Sequence, residues 1–469
     1  KRQGYGQMIK SSLARHLIYP LHERLMKRPT FPYLAELERS QWLSRSEMQK
    51  LQEEKLASIL KSAYEHCPWY KERINTAGID PAGPVSLEDL RRLPIMVKQD
   101  ALIHGEQMVW HAVPGGAFKY NTGGSSGQPL IFYYGRRRQA SDAAGRMRAR
   151  RWWGVEPGDR EVYLWGAPVE LNKTDRIKTL RDRMINQLVL NAFEMSPAAM
   201  DEYVQAIQAF KPQCIYGYAS SLALLAAHLL DRKTELRLPR LKVVCTTGEP
   251  LFDYQRKLIN TAFGSPVANE FGSRDIGFTA HETPEAQMLL ISESIILEVL
   301  DEQGQPVPPG ETGEAVMTAL ESFAQPFIRY RTGDMVRMSD ESCRAGRGLD
   351  VIAEVLGRST DFVVRSDGTI MHALAVIYVL RAVEGVAEFK IIQHALYDFQ
   401  VLVVPNASWQ DSSRVEIEKG LYKRLGDDIH IDLQLMDSIP AEASGKHRYV
   451  VSHVSLSDDL KAATHTQVN

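Results

Sequence analysis

The stretch Asn121-Thr122-Gly123-Gly124-Ser125-Ser126-Gly127-Gln128-Pro129 decides how the rest of the chain is read. Tyr120 precedes it and the β-prone run 130–134 follows it. Glycine is disfavoured in a helix interior by about 1 kcal/mol per residue, and Pro129 steers Gln128 away from helical geometry. A helix is therefore excluded. Consecutive backbone N–H groups and hydroxyls are left to face an anion, as in glycine-rich phosphate loops. An ordinary hairpin turn has the same composition, and the G-x-x-x-x-G-K-[ST] spacing of a Walker loop is absent. The surrounding sequence has to choose.

Downstream, short apolar runs at 161–165, 188–193, 213–216, 241–246 and 267–271 alternate with helical patterns such as 198–210, 220–230 and 253–263. That rhythm predicts βαβ units and a largely parallel sheet covered by helices. Ligands on such sheets sit beyond the carboxyl ends of the strands. Two strands end there in polar, glycine-bearing segments: Thr246-Thr247-Gly248-Glu249-Pro250 and Asn269-Glu270-Phe271-Gly272-Ser273-Arg274-Asp275. Upstream, Met48, Leu51, Ile59, Ala63 and Tyr64 keep a helical stripe that Cys67-Pro68 ends, and Ser86 with Asp89 forms a capping box. From 288 to 336 the texture turns to β-hairpins. A last block, starting near Gly357, predicts strand 362–365, helix 372–383, strands 389–393 and 400–404, helix 414–425 and strand 429–435. The expected fold class is α/β. A large doubly wound or mixed-sheet domain with a β-rich subdomain (1–356) precedes a small, mobile α+β domain (357–469).

The 469 residues, 44% hydrophobic and 24% charged, have the composition of a soluble globular protein. A net charge of −2 argues against nucleic-acid or membrane-surface binding through bulk charge. The arginine-rich runs 136–138 and 146–151 read as a solvated helix face, with anion binding as the alternative. Cys67, Cys214, Cys245 and Cys343 form no C-x-x-C pair, which fits a reducing cytoplasm. The longest apolar candidate, 222–230, contains His228 and is about half the length of a membrane span. No signal-peptide pattern opens the chain. A cytoplasmic protein without membrane insertion is expected.

Five polar motifs then need one explanation: the opening loop, 246–250, 271–275, Tyr330-Arg331-Thr332-Gly333-Asp334, and Gly357-Arg358…Asp361 with Gly445-Lys446-His447-Arg448. In this order they resemble the adenylate-forming ligases, the superfamily of acyl-CoA synthetases, adenylation domains and luciferases. Within it the chain is most similar to phenylacetate–CoA ligases and CapK-like capsule-cluster proteins. The likeness takes in Ser40–Ser44, Ala63–Tyr70 and Leu93–Lys98.

The resemblance implies ATP as a substrate, with Thr122, Gly123, Gly124, Ser125, Ser126 and Gly127 around its β- and γ-phosphates. Gln128 stands where relatives often have Lys. It implies an adenine-side segment at Gly248, Glu249 and Pro250, and a nucleotide segment at Asn269, Glu270, Phe271 and Gly272, with Phe271 in place of a stacking Tyr. Asp275 stands where a Glu holds Mg²⁺, and Arg274 replaces a Ser/Thr near the α-phosphate. Asp334 is implied as the ribose ligand, Arg358 as a ribose or phosphate contact, Asp361 as the hinge, and Lys446 with Arg274 as catalytic. Trp165, Tyr216 and Tyr218 follow predicted strands and could line an acyl pocket, or be core.

Some relatives carry a cysteine metal cluster, but no cysteine lies between Cys245 and Cys343, so no structural zinc is expected. The implied activity joins a small carboxylic acid to AMP and then to a thiol, CoA first. The alternatives are an amine of an amino sugar or amino acid in polysaccharide assembly, adenylyl transfer to a deazaflavin, or a silent binding protein. The acid and the oligomeric state stay open.

Overall fold

A computed structural model of the chain describes residues 9–121, 130–165, 181–192, 195–234, 236–248, 251, 253–301, 303–357, 362–367, 370–437, 439 and 450–454. Of the residues singled out above, Thr122, Gly123, Gly124, Ser125, Ser126, Gly127, Glu249, Pro250, Arg358, Asp361 and Lys446 lie outside that set. The chain divides into two compact units, a larger one ending at Gly357 and a smaller one made chiefly of the residues that follow.

In the larger unit, helix Arg45–His66 starts because Ser44 and Glu47 cap each other. The Glu47 N–H donates to the Ser44 hydroxyl (3.3 Å), and the Ser44 N–H donates to the Glu47 carboxylate (2.8 Å). Cys67 is extended, and Pro68 opens the next helix, Pro68–Thr76. The box expected at Ser86 and Asp89 is present and starts helix Leu87–Arg92. Leu56, Ile59, Leu60 and Ala63 are buried on one face of the long helix, in a core shared with Met96, Phe132, Phe327 and Tyr330.

Among the described residues thirteen strands belong to this unit: β1 Phe118–Asn121, β2 Ile131–Tyr134, β3 Glu161–Trp165, β4 Gln187–Asn191, β5 Cys214–Tyr218, β6 Val243–Thr247, β7 Val267–Ser273, β8 Gly277–Glu282, β9 Met288–Leu290, β10 Ile295–Leu300, β11 Thr312–Ala319, β12 Tyr330–Met338 and β13 Val351–Gly357. β1 and β2 form an antiparallel hairpin in which Asn121 faces Ile131, so both flanks of the glycine-rich stretch are strands. The other eleven make one sheet in the order β10-β11-β12-β13-β9-β8-β7-β6-β5-β3-β4. From β4 to β7 the neighbours run parallel, and from β8 outward every pair is antiparallel. The hairpin strands thus extend the parallel sheet across a change of direction at β7/β8.

Helix Arg136–Trp152 covers one face of that sheet, and here the expectation of a solvated arginine face is corrected. Arg148 is fully buried, and Arg138 and Arg150 are 4% and 5% exposed. Arg148 forks onto Glu293, itself fully buried (2.7 and 3.3 Å), and donates to the Leu37 carbonyl; Ser40 supplies Glu293 with a further hydrogen bond. Charged side chains go inside only when paired. For Arg148 and Arg138 the partners stand more than a hundred residues away along the chain, whereas Arg150 pairs with Glu161, eleven residues on.

The smaller unit contains β14 (Phe362–Val364) paired with β15 (Ile370–His372). It also contains a sheet in the order β18-β17-β16-β19, made from Val386–Ala395 (β16), Asp398–Pro405 (β17), His430–Leu435 (β18) and Val450–Ser452 (β19). Helices Leu374–Arg381 and Asp411–Leu425 pack on one another at Gly420, where a Cβ would lie 2.5 Å from Val379. Fully buried Gln393 bonds both backbone groups of Val364 and the Ser452 hydroxyl, which ties β16 to β14 and β19. The architecture is a mixed α/β domain with a long sheet, followed by a small α+β domain.

Candidate functional site

The parallel register aligns the strand ends. Tyr163 faces Tyr216 and Tyr216 faces Cys245; Tyr218 faces Thr247 and Thr247 faces Glu270. Side chains alternate along strands, so Tyr163, Trp165, Tyr216, Tyr218, Thr247 and Glu270 share one face, the one that helix Arg136–Trp152 covers. At the carboxyl end of this row Trp165 stacks on Tyr218 (centroids 4.4 Å apart, planes 18° apart) and lies 5.6 Å from Tyr216. Gly248 closes against the Tyr218 ring. Its φ is +76°, and a Cβ there would stand 3.2 Å from the tyrosine ring. Both conditions call for glycine. The three aromatics proposed for an acyl pocket are thus brought together, with Gly248 beside them.

Beneath the aromatic stack the site becomes ionic. Glu270, 5% exposed, accepts from the Tyr216 hydroxyl (2.7 Å) and the Thr247 hydroxyl (3.2 Å). Its second oxygen lies 3.5 Å from the Arg146 guanidinium. Burial alone would raise the Glu270 carboxyl, but Arg146, His281, Arg150 and the tyrosine hydroxyl outweigh it and hold it below the ordinary value. Burial likewise works against the charge on Arg146, and Glu270 more than restores it. One helical turn further on, Arg150 pairs with Glu161 and donates to Tyr163 (2.8 Å), with its guanidinium 5.0 Å from the Tyr216 ring centre. Burial opposes this charge too, and Glu161 holds it in place. A cavity of about 160 Å³ borders this part of the network, lined by Tyr19, Arg146, Arg150, Glu161, Tyr163 and Gln187 among others.

The turn from β7 to β8 carries Arg274 and Asp275. Arg138 holds its backbone by donating to the Arg274 carbonyl (2.6 Å) and the Asp275 carbonyl (2.6 Å). Asp142 accepts from the Phe278 N–H (3.1 Å). Gly277, with φ +109°, lets Asp142 approach so closely that a Cβ would overlap its carboxylate. Asp275 is 6% exposed, whereas Arg274 projects outward, over the Tyr120 ring (5.7 Å) and toward the Asn121 carbonyl (3.4 Å). Arg274 therefore reaches the residue at which the glycine-rich stretch begins.

Asn269 accepts from the Thr246 hydroxyl (3.1 Å), half-buried Phe271 packs against the main core, and Gly272 sits within the β7/β8 pairing. Asp334 lies elsewhere in the sheet, in β12, with β13, β9 and β8 between it and β7 in the strand order. It is 7% exposed, next to Gly333 at φ +81°, and its N–H donates to the Thr332 hydroxyl (3.2 Å). Sequence reading missed Arg138, Asp142, Arg146 and Arg150. Their spacing of four residues is the signal that could have found them: it sets all four along one stripe of the helix, beside the small residues Ala140, Ser141, Ala144 and Gly145. No group of three or more His, Cys, Asp or Glu side chains able to hold a metal occurs among the described residues.

Residues 363–453 match the family described as the CapK C-terminal domain. Over 409 residues the chain is 21% identical to protein CapK of Staphylococcus aureus, an alignment covering 86% of this chain and 89% of that protein. It is 26% identical over 398 residues to a phenylacetate–coenzyme A ligase of Thermus thermophilus, covering 83% and 86%. Among solved structures, a 2-hydroxyisobutyryl-CoA ligase in complex with 2-HIB-AMP and CoA superposes with a TM-score of 0.64 at 22% identity, over 92% of this chain and 94% of the other. By sequence the chain is similar to CapK and the phenylacetate–coenzyme A ligases, and its fold matches that of an acyl-CoA ligase of the adenylate-forming type.

Proposed function

We propose that the protein is an ATP-dependent, AMP-forming ligase that activates a carboxylic acid and passes its acyl group to a thiol, CoA in the first instance. The observation that carries this reading is the convergence at Arg274. The turn after β7, held by Arg138, reaches Asn121 at the end of β1, while Gly248 follows β6 and Phe271 lies within β7. A cation at the strand ends then stands beside Asn121, where the Gly/Ser sequence begins, and strand ends are where parallel sheets bind ligands. The phenylacetate–CoA ligase relative and the CoA-bound structural neighbour support CoA as the acceptor.

In this reading a carboxylate oxygen attacks the α-phosphorus of ATP, pyrophosphate leaves, and an acyl adenylate forms. The thiol then attacks the acyl carbon and AMP leaves. Thr122–Gly127 and Arg274 hold phosphate oxygens, Asp334 accepts from the ribose hydroxyls, and Arg358 adds a nucleotide contact. Lys446 stabilises charge building on the phosphoryl oxygens, and Asp361 is the pivot that changes its approach between the two steps. Asp275, a single buried hard-oxygen ligand, fits Mg²⁺, which takes its remaining ligands from phosphates and water. When bound, the ion would neutralise phosphate charge.

The ionised floor under Trp165 and Tyr218 supports an acid carrying hydroxyl, amide or further anionic groups over a plain hydrocarbon. A hydrocarbon would strand the Arg146–Glu270 and Arg150–Glu161 groups against an apolar surface. The test is exchange of labelled pyrophosphate into ATP across a panel of hydroxy, dicarboxylic, aryl and aliphatic acids, followed by CoA or amines. Exchange with a polar acid and thioester formation with CoA are expected. Nucleotide binding without exchange for any acid would overturn the ligase reading, and amide rather than thioester product would move the acceptor to an amine.

A further inference from the structure

The chain's net charge of −2 conceals a local imbalance at its N-terminal end. Residues Ser11–Leu13, Ala14–Ile18 and Tyr19–Leu25 form one helical run, the middle segment wound as a π-helix. One side is fastened to the larger unit. Ala14 is fully buried and approaches Gly158 so closely that a Cβ on that glycine would touch the helix backbone. Arg15 donates to the Pro157 carbonyl and pairs with Asp159, both at 3.1 Å, and Asn186 bonds the Ile9 carbonyl.

The opposite side carries Leu13, Leu17, Leu21 and Leu25, which are 47%, 57%, 52% and 73% exposed, continued by Met26 at 39%. A four-residue spacing sets them in one stripe. Of the seventeen large apolar side chains exposed among the described residues, these five fall between positions 13 and 26, so the patch is not ordinary scatter.

Lys10, His16, Arg24 and Lys27 are exposed along the same run. Its one acidic residue, Glu23, is 4% exposed and taken up by Thr30, His22 and Arg28. An apolar stripe bordered by uncompensated basic side chains is the composition of a helix that lies in a lipid interface. A second copy packed on this face by a two-fold axis would bring the same basic groups together, which disfavours self-association. We propose that this face docks on an anionic bilayer surface, with the leucines entering the headgroup boundary and the basic side chains meeting lipid phosphates, so that the protein is peripherally membrane-bound. This inference is independent of the ligase reading.

The test is co-sedimentation of the full chain with phosphatidylcholine vesicles, with and without about 30% phosphatidylglycerol. Binding to the anionic vesicles is expected. It should fall at least about tenfold in Leu17→Gln/Leu21→Gln, fall comparably in Lys10→Gln/Arg24→Gln/Lys27→Gln, and weaken in salt of about 0.5 M. All these side chains are exposed, so circular dichroism and nucleotide binding should match the parent protein. No sedimentation above the phosphatidylcholine control, or equal sedimentation by the leucine variant, would overturn the proposal. So would a concentration-dependent dimer that the leucine variant abolishes, since the occupant would then be a second copy.

Discussion

Acidification should destabilise the larger unit through His281. The ring is fully buried in β8, near Trp152 (6.4 Å) and Phe278 (6.2 Å). Its Nδ1 lies 2.8 Å from the Glu282 carbonyl, so that nitrogen carries the proton, and Nε2 has no hydrogen-bond partner among the described residues. Burial pushes its pKa from the ordinary 6.5 down to about 4, against the pull of Glu270. With the folded value depressed, stability is complete above about pH 6.5 and is lost as the pH falls toward 4. At about 1.4 kcal/mol per pH unit, the whole window is worth about 3 kcal/mol, of which about 2 kcal/mol falls between pH 7 and 5.

Two neighbours bear on the readout. Glu270, held below the ordinary carboxyl value, loses its contribution only as the pH falls below that value, under the interval from pH 7 to 5. Asp142, which burial raises, works in the opposite direction, since a raised folded pKa adds stability as the pH falls. The informative quantity is therefore the difference between the parent and His281→Gln. Urea unfolding followed by tryptophan fluorescence reports on the larger unit, because six of the seven tryptophans precede Gly357. The parent should lose about 2 kcal/mol more than the variant on going from pH 7 to pH 5. Equal pH slopes in the two proteins would refute the reasoning.

Arg148→Ala strands the buried Glu293 carboxylate and should lower stability by about 3–5 kcal/mol, whereas Arg148→Met with Glu293→Leu should recover most of it; thermal melts of the three variants measure both. Gly248→Ala forces a side chain to φ +76° against the Tyr218 ring. At about 1–2 kcal/mol of strain, kcat/KM for pyrophosphate exchange should fall about tenfold, and an unchanged value would remove Gly248 from the nucleotide site. Lys446→Ala should slow adenylate formation by about 10²-fold or more in single-turnover assays, while nucleotide binding is kept.

What was legible in the sequence was local or ordered along the chain. The apolar runs 161–165, 213–216, 241–246 and 267–271 mark β3, β5, β6 and β7 to within two residues, and the Ser86–Asp89 cap follows from three-residue spacing. The arginines of helix Arg136–Trp152 were not legible. A run of charges in a helix has the composition of a wet surface, and the partners that draw it inside, Glu293 and the carbonyls of Arg274 and Asp275, lie 145, 136 and 137 residues away. The exposed leucines at the N-terminal end were hidden for the opposite reason. Net charge averages over the whole chain, and the imbalance is confined to one helix.

The stripe of Arg138, Asp142, Arg146 and Arg150 also bears on how the specificity of this scaffold can change. Arg146 and Arg150 are each matched to a buried carboxylate, Glu270 and Glu161, so substituting either arginine leaves a buried charge behind, and improvement would require two simultaneous changes. Trp165 and Tyr218 stack on one another at the strand ends, where resizing an aromatic removes no charge. Selection for a different acid should therefore run through those two rings first and leave the arginine stripe as inherited.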